Sequence, residues 1–252
     1  VRGSLQRAQS GSSLSLRELL DICSMLRQIR GLTDYHASCG DVTTVLDPLF
    51  EELSPNKWLE DKIQNAILTE DEIADTASAE LANIRRKIAQ AGVRIRESLD
   101  KMVRSADVQK SLMDNIVTVR DGRYVLPVKA EYKGNVRGIV HASSATGSTL
   151  FIEPEAVVEA NNDIRVLQGR EQEEIERIIA ELSSDCASCA ETMKRDYFTC
   201  AELNLYFAKS NLGAKMRATV PEISDDGILE LKKARHPLID AEKVVPVDIS
   251  VG

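Results

Sequence analysis

The residues best suited to do chemistry lie between Thr118 and Arg137. Arg120, Arg123, Lys129, Lys133 and Arg137 are spread over short strand-like runs and their turns, with few acids nearby. Hairpin tips are exposed, and cations there suit the phosphates of a nucleic-acid backbone. Neutralising those phosphates releases counterions, so such binding falls steeply with salt. The surrounding charge is uneven: residues 84–137 hold thirteen Lys and Arg against six acids, while residues 153–202 hold thirteen acids against five bases. Two readings of the helical part of this charge stand side by side. Either the bases contact phosphate, or basic and acidic faces pair across neighbouring helices, as flanking positions of a coiled coil do.

Other groupings point away from catalysis. Ser143–Thr149 reads SSATGST and has the look of a phosphate loop, but no Lys follows its glycine, so the Walker-type chemistry is missing. A structural hairpin turn is the expectation there. Cys186 and Cys189 have the spacing of a zinc or redox pair, yet they sit inside an apolar helical pattern, and packing is the expected role. Only if His36 and Cys39 lay beside them could a metal site form. His141 reads as a hairpin side chain with a local hydrogen bond. No set of nucleophile, base and acid emerges, so neither catalytic nor metal-ligating residues are assigned.

The elements that must position the cations are mainly helical. Residues 1–13 are polar and rich in Gly and Ser, which predicts a flexible lead-in. Ser15 and Glu18 form a capping-box pattern ahead of Leu16, Leu19, Leu20, Cys23 and Leu26, and Val42–Leu53 and Trp58–Leu68 suggest further helices. Residues 14–68 are thus expected to be a helical core. From Thr69, with Glu72 as its capping partner, Ile73, Ala77, Leu81, Ile84, Ile88, Ala91, Ile95, Leu99 and Met102 recur at threes and fours. That is a coiled-coil seam, and a helix running over 69–112 would rise roughly 65 Å; Gly92 is expected to soften it. A matching seam, Ile164 to Met193, lies within 155–218. The two seams face each other most economically as an antiparallel pair, since each large apolar side chain left in water costs about 1.5–3 kcal/mol. Residues 113–154 then form a small β-containing head at the tip. Over 219–252 the pattern changes to strand-like alternation.

Composition bounds the rest. A chain of 252 residues with net charge −8 and no apolar run long enough for a membrane span reads as soluble. Its five cysteines fit a reducing, cytoplasmic compartment better than a disulfide framework. The chain opens on Val1 and ends in mid-pattern at Gly252, so it is expected to be a piece of a longer protein.

Several strings together carry a family resemblance: Asp114–Arg120 (DNIVTVR), Arg123–Lys129 (RYVLPVK), Gly138–His141 (GIVH), Thr149–Pro154 (TLFIEP) and Lys233–Leu238 (KARHPL). Over residues 15–252 the chain resembles the second bacterial MutS family, the MutS-like ATPases without a mismatch-reading domain. That resemblance implies a helical core, lever helices and a clamp, followed by the first strands of an ABC-type ATPase domain whose P-loop would come after Gly252. It places Arg120, Arg123, Lys129, Lys133 and Arg137 in the clamp, Arg235, His236 and Pro237 at the edge of the ATPase domain, and Val244 and Val245 against adenine. It further implies that the segment itself holds no cofactor and does not hydrolyse ATP. ATP and Mg2+, endonuclease activity and homodimer formation would belong to the whole protein. Its partners would be branched or mismatched DNA in recombination control, or rRNA on collided ribosomes. The rival expectation is a coiled-coil scaffold or dimerisation arm that binds protein partners through its head.

Overall fold

The computed structural model describes residues 1–40, 42–240 and 242–252. Helices α1 (Arg2–Gln9), α2 (Leu16–Ser38), α3 (Asp47–Glu52) and α4 (Lys57–Ala66) come first, then a ribbon of β1 (Ile67–Thr69) and β2 (Glu72–Ile73). Helix α5 (Ala79–Val103) and the short α6 (Ala106–Gln109) lead into strands β3 (Thr118–Arg120), β4 (Arg123–Lys129), β5 (Gly138–Ser143) and β6 (Thr149–Pro154). Helices α7 (Glu155–Ser188) and α8 (Ala190–Met216) follow, and β7 (Leu229–Ala234) and β8 (Val247–Val251) form a last hairpin. The chain is therefore mainly helical with small antiparallel sheets.

The capping box forms as expected: the Ser15 hydroxyl accepts from the Glu18 amide, and the Glu18 carboxylate accepts from the Ser15 amide at 3.0 Å. From it α2 presents Leu19, Ile22, Cys23, Leu26 and Ile29 to the interior. Glu60 of α4 is buried against this helix and accepts Arg30 Nε and Nη2, both at 2.9 Å. The bidentate geometry keeps its charge satisfied, and Arg30 holds the carboxyl below its ordinary range.

Several expected boundaries move. Residues 1–13 contain α1, whose Leu5 and Ala8 are buried in the core with Ile178 and Leu182 of α7. Of Val42–Leu53 only Asp47–Glu52 is helical, with Pro48 in its first turn, and Val42 and Val45 are exposed. Trp58 is exposed as well. Thr69 does not cap a helix, because Thr69 and Glu72 pair across the β1–β2 ribbon. The cap is Ser78, whose hydroxyl accepts from the Leu81 amide at 2.9 Å. Helix α5 stops at Val103, and Leu112 instead bridges to Val128 at the sheet.

Helices α5 and α7 pack side by side and join two cores. Below, Leu81 meets Ile178 and Leu182 together with the buried residues of α1, α2 and α4. Above, Ile95, Leu99 and Val103 meet Val157 and Ile164 together with Leu126, Val128, Val136 and Ile152 of the head. At about 1.5 Å per residue, the 25 residues of α5 rise ~37 Å and the 34 of α7 rise ~50 Å. Both are shorter than the continuous helix the seam suggested. A third cluster, Ile29, Phe50, Leu53 and Leu203, fastens α8 to α2 and α3. No helix among the described residues is long and apolar enough to cross a membrane.

Candidate nucleic-acid interface

The head is a four-stranded antiparallel sheet in the order β3-β4-β6-β5. Short runs rich in Val, Ile, Tyr and Thr form its strands, and Asp121 and Gly122, both at positive φ, make the tight β3–β4 turn. Register follows the apolar alternation: Leu126 pairs with Ile152 and Val128 with Leu150, so that one face closes over α5 and α7.

A buried carboxylate fixes this sheet to α7. Glu153 on β6 is fully buried and accepts from Arg123 Nη1 at 2.8 and 3.1 Å, from Asn161 Nδ2 at 2.7 Å, and lies 2.5 Å from His141 Nε2. Asn161 in the first turns of α7 also exchanges two bonds with the Tyr124 backbone, accepting from its amide and donating to its carbonyl, both at 3.1 Å. One acid thus gathers β4, β5, β6 and α7. Removing a charge from water is costly, and it is tolerated here because each carboxylate oxygen has a donor.

Two glycines admit close approaches that this assembly needs. A Cβ on Gly138 would stand 2.1 Å from the Glu153 carbonyl oxygen, so β5 can lie against β6 only without a side chain there. In α5, a Cβ on Gly92 would meet the Tyr124 hydroxyl at 2.8 Å. Gly92 is buried within an unbroken helix, and its role is to seat Tyr124 rather than to soften the helix.

The five cations expected to contact phosphate have different fates. Arg123 is engaged by Glu153 and by Asn162, whose Oδ1 accepts its Nη2 at 2.9 Å, which makes it a positioning residue. Lys129 is half-buried and donates to the Lys110 carbonyl at 3.3 Å. Arg120 is exposed, with its guanidinium 4.5 Å from the Phe151 ring centre. Lys133 and Arg137 are exposed, and neither forms an ion pair among the described residues. Arg137 also lines a groove of about 410 Å3 with Met102, Val108, Asn135 and Val136. The positioning roles of Glu153 and Asn161 were missed. Their signal was an acid in an otherwise apolar strand, followed eight residues later by an amide.

The remaining groupings resolve structurally. In the Ser143–Thr149 turn, the Ser144 hydroxyl accepts the Thr149 amide at 3.1 Å and the Ser144 carbonyl accepts the Gly147 amide at 2.8 Å, so the loop's polar groups serve its own hairpin. Cys186 is buried in the lower core, and burial pushes its thiol up to about 12. His36 instead stacks on Phe50 at 4.8 Å and reaches Asp47 at 3.3 Å, while Cys39 donates to the Tyr35 carbonyl. No group of three metal-binding side chains forms among the described residues. Of the two readings of the α5 charge, Arg85 takes the pairing one, with its Nε on Glu171 of α7 at 2.7 Å. Arg94, Lys101 and Arg104 have no acid partner among the described residues.

Arg235, His236, Pro237, Val244 and Val245 all fall in the connection between β7 and β8. The His236 carbonyl accepts the Ile239 amide at 3.2 Å, and the Asp240 carbonyl accepts the Lys243 and Val244 amides at 2.9 Å. Arg235, Pro237 and Val245 are exposed, and Val244 is partly covered.

No family model matches the chain. Among curated proteins, the chain is 45% identical over 254 residues to Endonuclease MutS2 of Agathobacter rectalis and 44% identical over 254 residues to that of Ruminiclostridium cellulolyticum. It is 43% identical over 256 residues to that of Acetivibrio thermocellus. Each match covers the whole chain and 32% of the relative, so the chain spans about a third of the length of these proteins.

Proposed function

We propose that this chain, similar along its whole length to a segment of Endonuclease MutS2, is the core, lever and clamp of a MutS-like ATPase. In this reading α5 and α7 are the levers, the β3–β6 sheet is the clamp, and the clamp grips a nucleic-acid backbone. ATP with Mg2+ and endonuclease chemistry belong to the remaining two thirds of such a protein. The β7–β8 hairpin, with Arg235, His236, Pro237, Val244 and Val245 in its connection, is the edge of the ATPase domain and approaches the nucleotide. The whole protein acts as a homodimer on branched DNA or on the rRNA of stalled ribosomes.

One observation carries the gripping role. Arg120 at the end of β3 and Lys133 and Arg137 in the β4–β5 connection are exposed, and the buried acid of the sheet, Glu153, is already matched by Arg123, so it does not neutralise them. The rigid attachment of that sheet to α7 through Asn161 lets a change of lever angle move the cations as a unit. Titrating binding of branched DNA and of an rRNA fragment against salt tests this reading. Binding at low salt with a steep slope supports the clamp, and which ligand binds tighter identifies the cargo. Absence of binding at low salt with retained self-association would favour a scaffold arm instead.

A further inference from the structure

Between the two cores joined by α5 and α7 lies a waist where the seam does not close. Ile88 and Ala91 on α5 and Leu167 on α7 are only partly covered there, and no residue of α7 between Ile164 and Ile178 is buried. A groove of about 340 Å3 opens at this level, within the size range of small-ligand sites. Ala91, Val166 and Leu167 give it an apolar floor, and Lys87, Arg94 and Arg170 rim it.

The rim, like Lys101 and Arg104 nearer the head, carries cations without acid partners among the described residues, whereas acids match the cations nearer the base. Below it, cations on and against α7 are matched: Arg85 by Glu171, Arg177 by Glu174 and Glu181, Lys62 by Glu181 and Asp185. At the groove, Lys87, Arg94 and Arg170 form neither ion pairs nor hydrogen bonds among the described residues, and the single acid, Asp163, pairs with none of them. Three unmatched cations around one cavity repel one another unless an anion sits between them. Guanidinium forks suit phosphate oxygens, an apolar floor suits a ring, and a lone carboxylate suits an N–H or O–H donor on the ligand.

We propose that this groove is a second anion site, separate from the clamp, that takes a phosphate ester carrying an aromatic body of mononucleotide size. The phosphate lies among Lys87, Arg94 and Arg170, the ring covers Leu167 and Val166, and Asp163 accepts a hydrogen bond from sugar or base. Such an ester is either a free nucleotide or one nucleotide of a strand.

Calorimetric titration of the chain with inorganic phosphate, adenosine monophosphate and a short single-stranded oligonucleotide tests it. The variants are Lys87→Ala, Arg170→Ala and, as a control in the clamp, Lys133→Ala; all three alter exposed side chains. The expected result is that the mononucleotide binds more tightly than inorganic phosphate, loses about tenfold in affinity in Lys87→Ala and Arg170→Ala, and is unchanged in Lys133→Ala. The same loss seen with the oligonucleotide alone assigns the ester to a strand and equally supports the site. If neither ester binds at millimolar concentration, or if binding survives both groove variants, the site does not exist. Because Lys133→Ala weakens only the clamp, failure of either proposal is distinguishable from failure of the other.

Discussion

Arg123 Nη1 on β4 donates to Glu153 Oε1 on β6 at 2.8 Å, and Glu153 is wholly shielded from water. Arg123 opens one motif string of the head and Glu153 lies in another, and their bond explains why a charged pair sits among apolar strands. Glu153→Ala leaves Arg123 without its acid and strips the Asn161 and His141 bonds. It should cost about 3–5 kcal/mol of stability. Urea unfolding followed by circular dichroism measures this, and a loss below about 1 kcal/mol would show that the network does not hold the head.

Gly138→Ala should be nearly as damaging for a different reason. Its new methyl would overlap the Glu153 carbonyl oxygen, a backbone atom that cannot move without opening the β5–β6 ladder. The expected destabilisation is about 1–3 kcal/mol, accompanied by faster amide exchange in 138–143. Unaltered exchange there would contradict the close approach.

Much of this fold was legible in the sequence, and the misses share a cause. The Ser15–Glu18 cap, the four head strands and the ends of the two seams rest on local patterns that the tertiary structure keeps, whereas Ile73 and Ala77 of the first seam precede the helix. Helix α1 offers only Leu5 and Ala8 as apolar cues, and it gains its order by burying them against α7. Thr69 and Glu72 mimic a capping box but flank the β1–β2 turn, where the Thr69 hydroxyl accepts the Asp71 amide instead. Among the cations, charge was readable and partners were not: Arg123 and Arg120 look alike in sequence, yet a buried acid claims one and an aromatic ring accompanies the other.

Gly92 makes a non-additive prediction. Gly92→Ala gains helix propensity worth about 0.8–1.0 kcal/mol but pushes against the Tyr124 hydroxyl. Tyr124→Phe removes that oxygen. The double variant should therefore be more stable than the sum of the single changes predicts, by about 1 kcal/mol. Strict additivity in thermal unfolding would mean that the two residues do not touch.

Two carboxylates should contribute to acid sensitivity. Burial works to raise Glu18, but bonds from the Ser15 amide, Ser4, the Ser15 hydroxyl and Arg7 outweigh it and bring it to about 2. Arg177 first, then Ser78, bring Glu174 to about 2. Both groups are depressed, so their contribution to stability is present above the ordinary carboxylate value near 4.5 and is lost as pH falls toward about 2. Asp196 runs the other way: burial raises it and outweighs the Ser54 amide and the Arg195 guanidinium, whose Nη2 stands 3.7 Å from its Oδ1. Asp196→Asn should therefore stabilise the chain at pH 7 and lose that advantage on acidification. A Glu174→Gln variant that showed the wild-type acid profile would refute the Glu174 assignment.

The central claim is that unmatched cations of the head, on β3 and in the β4–β5 connection, hold a nucleic-acid backbone. Its most direct test is the slope of log affinity against log salt for branched DNA, measured for the chain and for Arg120→Ala, Lys133→Ala and Arg137→Ala. Each substitution should weaken binding and reduce the slope by about one, with no change in unfolding midpoint. Slopes unchanged in all three variants, or no binding even at low salt, would contradict it.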